Sequence, residues 1–188
     1  MKKCMIIGAT YTLIPLIRTA RRLGYAVVVA SVDGNYPAFS YADEVCYVNI
    51  SNPQAVLEKA RELRIDGIAT CCMDTGVRAV GCVCEAMGLC GLTERAALLS
   101  NQKLLMKEAF VRGGVSSPEY RKAACFEELK RAWEALPHPV ILKAVDLQAS
   151  RGIYVCRSYS ELEAAYQEAM GLTREGFCIV EQFVKGID

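Results

Sequence analysis

Short apolar runs alternate with longer amphipathic segments through the first half of the chain. The runs CMIIG, AVVVAS, VCYV and GIATCC have the length and composition of buried strands. Apolar residues recur at helical spacing over residues 12–24, 53–64 and 75–87. This alternation predicts βαβ units and an α/β fold in which a parallel sheet carries helices on both faces. Thr12 is expected to cap the first helix, and Gly24 to end it.

The rhythm changes near residues 88–93, where two helical segments follow each other closely. Beyond them, a strand is expected to begin at Tyr120, with further strands over 140–145, 153–156 and 177–182 and helices over 126–136 and 158–170. Only the loop Asp146–Gly152 separates two of these strands, and a parallel crossover needs about a dozen residues, so the two strands form a hairpin. We therefore predict an α/β domain over residues 1–93 and a small α+β domain, with a mixed or antiparallel sheet, over residues 94–188.

The charge balance argues against polyanionic partners. The 22 basic and 21 acidic side chains are spread along the chain and give a formal net charge of +1. There is no basic stripe for a phosphate backbone and no polybasic tail for a membrane surface, so neither nucleic acid nor a membrane is an expected partner. The run MKKCMIIGATYTLIPLI is interrupted by glycine, threonine and proline, unlike the continuous apolar core of a signal peptide. We expect a cytoplasmic protein.

The ten cysteines do not form a recognisable metal or disulfide pattern. No CxxC occurs, and His138 is the single histidine. Most of the cysteines lie in apolar segments, where a reduced thiol behaves as a small hydrophobic group. No metal site or redox role is expected from them, and His138, between two prolines, is expected to be a loop residue.

Small or acidic residues follow the strands of the first domain, at the edge where open parallel sheets bind ligands. These candidate contacts to a small substrate are Gly8, Thr10, Asp33 and Asp74. Structural explanations compete with this role, because glycine permits a tight turn and aspartate caps turns and helices. The stretch GATYT also lacks the second and third glycines of a dinucleotide-binding GxGxxG, so a nicotinamide cofactor has weak support.

Lys143 lies at the centre of the apolar stretch PVILKAVDLQASRGIYV. A charge buried in a strand costs several kcal/mol unless a partner compensates it, so an anionic group is expected nearby. Alternatively, period-two alternation turns Lys143 to solvent with its stem over apolar neighbours. The loop that follows favours the first explanation, because its hydroxyl, guanidinium, glycine and backbone amides are what a mobile cover over a polyphosphate needs.

Two further stretches point to the same chemistry. Lys103 opens a predicted helix after Ser-Asn-Gln, where the helix N-terminus adds positive potential towards an anion. The final stretch CIVEQFVKGID runs from an apolar strand into a short connector. Such a connector can present backbone groups to an adenine edge, and a carboxylate a few residues later can bind ribose hydroxyls.

These three stretches, in this order, resemble the ATP-grasp superfamily. NQKLLMKEAFVRGGVSSP is similar to its entry helix, PVILKAVDLQASRGIYV to its lysine strand and phosphate loop, and IVEQFVKGID to its hinge. The first half resembles the Rossmann-like pre-ATP-grasp domain, joined as in carbamoyl-phosphate synthase, biotin carboxylase and the ATP-dependent amino-acid ligases. The resemblance therefore covers the whole chain.

The resemblance implies an ATP site in the second domain. The implied contacts are Lys103 and Lys143 to the phosphates, Ser150, Arg151 and Gly152 in the loop above them, Glu181, Gln182, Phe183 and Val184 in the adenine hinge, and Asp188 to the ribose. Glu181 would meet the amino edge of adenine, and Phe183 and Val184 would contact adenine through their backbone. The chain departs from the family pattern at Gln102, Ala144, Gln182 and Asp188, where an acid, a proline, a second charge and a glutamate are usual.

The resemblance also implies the reaction of the full-length enzyme. In this family a carboxylate attacks the γ-phosphate of Mg-ATP to give an acyl phosphate, which an amine or similar nucleophile then displaces. The implied cofactors are ATP and Mg²⁺, the implied partners are small-molecule carboxylate and amine substrates, and the resemblance allows a homodimer.

The family places its metal-binding carboxylates in a lobe that follows the hinge. We therefore expect no catalytic residue and no metal ligand among these 188 residues, and no activity from this chain alone. Two alternatives come from other classes of protein: a non-catalytic nucleotide-binding fragment and, with less support, a nicotinamide-dependent oxidoreductase.

Overall fold

The computed structural model describes residues 1–186, which divide into two compact units, Met1–Asn101 and the described part of Gln102–Asp188. The helices and strands of the first unit are β1 (Lys3–Ile7), α1 (Ile14–Arg22), β2 (Ala26–Ser31), β3 (Glu44–Tyr47), α2 (Pro53–Glu62), β4 (Gly67–Ala69), α3 (Asp74–Met87) and α4 (Glu94–Asn101). Short 3₁₀ turns lie at Tyr11–Leu13 and Pro37–Tyr41. No helix in residues 1–186 combines the length and the apolar character that crossing a bilayer requires.

The first unit is built on a parallel sheet, as the sequence predicts. Its strand order is β3-β2-β1-β4, and every neighbouring pair is parallel. Because successive side chains of a strand point to opposite faces, the central strands β1 and β2 contribute to two cores. Met5 and Ile7 of β1 pack with α2 and α3 on one face, and Ile6 packs with α1 on the other. Helices therefore cover both faces of this sheet.

The start of α1 differs from the expectation for Thr12. The chain makes a 3₁₀ turn at Tyr11–Leu13 before α1 begins, and Leu13 occupies the cap position without a side-chain hydrogen bond. The Thr12 hydroxyl instead shares a hydrogen bond of 2.8 Å with the hydroxyl of Thr10. The prediction that Thr12 caps the helix was wrong, because this side chain is engaged by its neighbour.

The first unit extends beyond the expected boundary at residue 93, because α4 packs on α3. The two helices approach closely at Gly81, where an added Cβ would lie 2.5 Å from Cβ of Ala97. The Glu94 amide at the start of α4 also donates to the Glu85 carboxylate at 2.7 Å. The units divide after Asn101, eight residues (101 − 93) beyond the expected boundary.

The second unit contains one antiparallel sheet and three helices in its described part. Its elements are α5 (Lys103–Arg112), β5 (Tyr120–Ala123), α6 (Phe126–Ala135), β6 (Val140–Ala144), β7 (Ile153–Cys156), α7 (Tyr159–Leu172) and β8 (Cys178–Gln182). The strand order is β5-β8-β6-β7, and all three pairings are antiparallel. The predicted hairpin is the β6–β7 pair.

The two faces of this sheet have different roles. Val140, Leu142 and Ala144 of β6 are fully buried, and they join the core that α6 and α7 form on one face. Ile141 and Lys143 alternate with them and are half-buried on the other face. Glu181 of β8 pairs in register with Ile141, so its side chain shares that second face with Lys143.

Candidate functional site

The second face of the antiparallel sheet carries a buried ion pair between neighbouring strands. Nζ of Lys143 lies 3.0 Å from Oε2 of Glu181, and the Glu181 side chain is only 2% exposed. The two residues stand diagonally across the β6–β8 pair, which is within reach of long side chains. The anionic group expected near Lys143 is therefore Glu181. The alternation also holds, because it places Lys143 on the face opposite the core, where its side chain is 24% exposed.

A second lysine, Lys107 of α5, binds the same carboxylate oxygen. Its Nζ lies 2.9 Å from Oε2 of Glu181, donates to Oγ of Ser117 at 2.9 Å, and lies 5.8 Å from the centre of the Tyr120 ring. The Lys107 side chain is 7% exposed, compared with 24% for Lys143. Both charges of the Lys107–Glu181 pair are thus buried and hydrogen-bonded, as burial of charge requires.

The three charges do not cancel. Two ammonium groups share one carboxylate, which leaves one positive charge in excess at a partly buried position. The excess lies towards solvent on the side of Lys143, because this side chain is the most exposed of the three. A partly desolvated positive charge attracts anions more strongly than a charge in bulk water. This face of the sheet can therefore hold an anionic ligand.

Lys103, the first residue of α5, lies beside the end of strand β6. Its backbone amide donates to the carbonyl of Val145 at 3.2 Å, and its Nζ donates to the carbonyl of Leu147. These acceptors follow Lys143 by two and four residues, so the start of α5 lies against the base of the loop. Gln102 caps this helix, since its side chain accepts a bond from the Leu105 amide at 2.7 Å. Gln102 is therefore the N-cap of α5.

Asp146 anchors the beginning of the loop. Its carboxylate accepts hydrogen bonds from the Thr173 hydroxyl at 2.5 Å and from the Arg174 amide at 2.9 Å. Partial burial raises the pKa of Asp146, but these hydrogen bonds and the nearby charge of Lys103 outweigh burial and hold the pKa below its ordinary value. Asp146 is therefore ionised at neutral pH and fixes one end of the loop to the segment between α7 and β8.

The loop has left-handed backbone at its tip and end. Ala149 and Ser150 have φ of 56° and 58°, and Gly152 has φ of 65°. Gly152 also closes the hairpin, because its carbonyl accepts the Ala144 amide at 2.8 Å, and an added Cβ would lie 2.8 Å from Cβ of Ala144. Ser150 and Arg151 are exposed. The hydroxyl and the guanidinium are therefore accessible to a ligand, whereas Gly152 is a structural position.

The hinge residues after β8 are partly engaged by the protein itself. The amides of Gln182 and Phe183 donate to the carbonyls of Glu119 and Pro139 at 2.9 and 3.1 Å. A ligand contact through the Phe183 backbone would therefore use its carbonyl oxygen. Val184 is 60% exposed. Asp188, the predicted ribose ligand, lies outside the described residues.

The four candidates in the first unit follow the parallel strands at their carboxyl ends. The Gly8 amide donates to the Ala30 carbonyl at 2.8 Å, and Thr10 is bound to Thr12. Asp33 is exposed in the loop after β2, and Asp74 is the first residue of α3. A substrate contact by these residues stays a prediction.

Two residues of the second unit were missed by the sequence reasoning. Lys107 follows Lys103 by one helical turn in KLLMK, so the spacing alone places both side chains on one face of α5. Asp146 is the acidic residue that directly follows the strand expected over residues 140–145. The sequence shows both features, but it does not show which residues Lys107 and Asp146 bind.

Potential metal ligands and the cysteine thiols contribute little to this site. Within residues 1–186, no group of three or more histidine, cysteine, aspartate or glutamate side chains could hold a metal ion. These residues do not fit a magnesium site. All ten cysteines are free thiols, and burial raises the pKa of Cys156 and Cys178 to about 11. His138 stacks on Trp133 with ring centres 3.8 Å apart.

Comparison with known proteins gives relatives that are longer than this chain. No family model matches it. The formate-dependent phosphoribosylglycinamide formyltransferase of Wolinella succinogenes is 27% identical over 185 residues, covering 97% of this chain and 48% of that protein. Its counterpart from Burkholderia mallei (strain SAVP1) is 26% identical over 192 residues, covering 97% and 46%. The chain spans about half the length of the curated relatives it matches.

Solved structures of similar fold include two that cover nearly the whole chain. The crystal structure of phosphoribosylglycinamide synthetase from Anaerococcus prevotii has a TM-score of 0.74 at 37% identity, covering 98% of this chain and 46% of that one. The biotin carboxylase domain of Hydrogenobacter thermophilus 2-oxoglutarate carboxylase, a dimer in complex with MgADP, ADP and bicarbonate, has a TM-score of 0.79 at 24% identity. It covers 98% of this chain and 45% of that one, and this likeness shows the fold alone.

Proposed function

The chain has the fold of the amino-terminal half of ATP-grasp ligases, and from this premise we propose that its second unit binds the adenine nucleotide of such an enzyme. The observation that carries the proposal is the Lys107–Glu181–Lys143 cluster, whose excess positive charge lies beside a loop of exposed backbone, hydroxyl and guanidinium groups. The ADP complex of the Hydrogenobacter domain supports the same ligand class.

Each part of the nucleotide has a proposed partner. Lys143 and Lys103 bind the phosphates, because both ammonium groups lie along the end of β6 where the loop begins. Ser150 and Arg151 close over the phosphates from the loop, with Gly152 at its base. Glu181 is 2% exposed while Lys143 is bound to it, and its carboxylate accepts a bond from the amino group of adenine when Lys143 turns to the phosphates. Gln182, Phe183 and Val184 form the hinge along the adenine edge. Asp188 is the proposed ribose ligand.

For the whole protein we propose ATP-dependent activation of a small carboxylate. Attack of the carboxylate oxygen on the γ-phosphorus forms an acyl phosphate and releases ADP, and an amine then displaces phosphate to form the new C–N bond. The lysines of this chain stabilise the charge on the transferring phosphoryl oxygens. Magnesium supplies further charge neutralisation when it is bound with ATP, but residues 1–186 do not hold it and no step is assigned to them through it.

The relatives' names support the substrate class. They include a formate-dependent phosphoribosylglycinamide formyltransferase and a phosphoribosylglycinamide synthetase, and formate is a carboxylate. We propose a small carboxylate and an amine as substrates, with the carboxyl edge of the first sheet, at Gly8, Thr10, Asp33 and Asp74, as the place where one of them binds. A homodimer is the proposed assembly, since the biotin carboxylase domain is a dimer.

Calorimetric titration of residues 1–188 with ADP tests the nucleotide proposal. We expect saturable binding of ADP, weaker binding of GDP, and a loss of about tenfold or more in ADP affinity for Lys143→Met, because a charge-assisted phosphate contact is removed. Lys130→Met is the matched control, since Lys130 is exposed on α6, which covers the opposite face of the sheet. Absence of ADP binding, or equal losses in the two variants, would contradict the proposal.

A further inference from the structure

We propose that Lys107 is a fixed counter-ion for Glu181 that releases Lys143 to the nucleotide phosphates. Lys107 is then a positioning residue: it does not touch the nucleotide, but it determines whether Lys143 is free to do so. This inference rests on the proposed nucleotide site and assigns a role to a residue outside the family's phosphate and adenine contacts considered above.

The exposure of the three side chains separates a fixed partner from a mobile one. Both lysines bind Oε2 of Glu181 at nearly the same distance, 2.9 Å for Lys107 and 3.0 Å for Lys143. Lys107 is 7% exposed and Lys143 is 24% exposed. Lys143 can therefore turn towards a ligand without crossing the protein interior, whereas Lys107 cannot.

Lys107 is also held by more groups than Lys143. Besides Glu181, its ammonium donates to Oγ of Ser117 at 2.9 Å and lies 5.8 Å from the centre of the Tyr120 ring. These contacts place the ammonium between α5 and β5, and they do not depend on Lys143. Lys107 therefore stays in place when Lys143 moves.

Removal of Lys143 from Glu181 has a large electrostatic cost unless another cation remains. A carboxylate that is 2% exposed cannot be solvated by bulk water, and a buried charge without a partner is strongly destabilising. With Lys107 present, Glu181 keeps one ammonium after Lys143 turns to the phosphates. Without Lys107, every phosphate contact by Lys143 would leave the buried Glu181 carboxylate without an ammonium partner.

Lys107 therefore affects the affinity for phosphates through Glu181, although it does not touch them. In Lys107→Met, Lys143 becomes the sole ammonium partner of Glu181 within this cluster and stays bound to it. We expect ADP to bind about tenfold or more weakly to this variant than to the unaltered chain, while the affinity for adenosine, which lacks phosphates, changes less than about threefold. Lys107→Arg, which keeps the charge, restores ADP binding to within about threefold.

A variant background without the Glu181 charge distinguishes the positioning role of Lys107 from a purely structural role. Glu181→Gln abolishes the buried anion, so Lys143 is no longer retained by it and Lys107 has nothing to compensate. Lys107→Met is therefore expected to weaken ADP binding in the unaltered chain but to change it less than about threefold in the Glu181→Gln background. The double variant also contains no unpaired carboxylate, so it remains a usable comparison where Lys107→Met alone unfolds.

The experiment is a calorimetric cycle with ADP and adenosine on residues 1–188, with circular dichroism to verify folding of each variant. Equal ADP affinity of Lys107→Met and the unaltered chain would overturn the counter-ion role while leaving the nucleotide site intact. The same loss in both backgrounds would also overturn it, because the effect would not pass through Glu181. Failure of the unaltered chain to bind ADP would instead refute the nucleotide site, and the inference with it.

Discussion

The Thr173 hydroxyl donates to Oδ1 of Asp146 at 2.5 Å, which ties the start of the loop to the end of α7. The Arg174 amide binds the other carboxylate oxygen at 2.9 Å, so both oxygens of Asp146 are engaged. The exposed residues Ser150 and Arg151 lie beyond this anchor. Closure of the loop over a ligand would therefore pivot after Asp146 rather than displace the end of β6.

Asp146→Asn is expected to destabilise the second unit by about 1–2 kcal/mol at pH 7, because a charged acceptor of two hydrogen bonds becomes a neutral amide. The pKa of Asp146 is lowered in the folded state, so its contribution is present above the unfolded pKa of about 3.9 and is lost as pH falls through the folded pKa. Urea unfolding at pH 7 and at pH 3 measures the difference between the variant and the unaltered chain.

The matched control for this prediction is Asp33→Asn, since Asp33 is exposed in a loop of the first unit. This control is expected to change the free energy of unfolding by less than about 0.5 kcal/mol at either pH. If the effect of Asp146→Asn is as large at pH 3 as at pH 7, the ionised carboxylate is not the anchor.

Ala144→Pro is expected to loosen the loop, because proline has no amide hydrogen to donate to the Gly152 carbonyl, the bond that closes the hairpin. The loss of this bond corresponds to about 1 kcal/mol in local opening. Trypsin cleavage after the exposed Arg151 should therefore be faster by about fivefold, as measured by mass spectrometry. Ala144→Ser keeps the amide and is expected to be cleaved at the original rate, and equal rates for both variants would contradict the role of this bond.

The sequence pattern predicted the two sheets, but it did not predict which residues the charged side chains bind. The short loop Asp146–Gly152 required the hairpin that β6 and β7 form. The partner of Lys143 is 38 residues away, and strand periodicity does not specify which later strand pairs with β6 or in which register. The register of β8 against β6 brings Glu181 to the same face.

The boundary of the first unit was misplaced for a related reason. Local pattern identifies α4 as a helix, but its assignment to a unit depends on the close packing of Gly81 against Ala97. Lys107 was overlooked because a lysine on a helix is usually solvated, and only the tertiary structure places it over Glu181. The four candidates that follow the parallel strands, Gly8, Thr10, Asp33 and Asp74, were chosen from the predicted topology alone. Their contacts with a ligand stay predictions.

Two helical glycines give a direct test of the α3–α4 packing. Gly81→Ala is expected to destabilise the first unit by about 1–3 kcal/mol, because the new Cβ would lie 2.5 Å from Cβ of Ala97. Gly171→Ala in α7 is the matched control, since nothing lies within 4 Å of an added Cβ there, and it is expected to be neutral or stabilising by up to about 1 kcal/mol. Thermal unfolding of both variants measures this, and a neutral Gly81→Ala would contradict the packing.

The cysteines are expected to react in an order set by burial and pKa. Burial raises the pKa of Cys156 and Cys178 to about 11, so about one thiol in a thousand is ionised at pH 8. Cys72, Cys90 and Cys125 are exposed. Iodoacetamide at pH 8 should therefore alkylate the three exposed thiols first, whereas all ten should react in urea. Early alkylation of Cys178 in the folded chain would contradict the buried β8 strand.

A crystal structure of the chain with ADP would show directly whether the nucleotide binds at the Lys107–Glu181–Lys143 cluster. We expect ADP to lie along the face of the antiparallel sheet that carries Glu181, with Nζ of Lys143 about 3 Å from a phosphate oxygen. Lys107 should remain on Glu181, and the exposed loop residues should close over the phosphates. ADP bound elsewhere on the chain, or ADP at this face with Lys143 still paired to Glu181 and away from the phosphates, would contradict it.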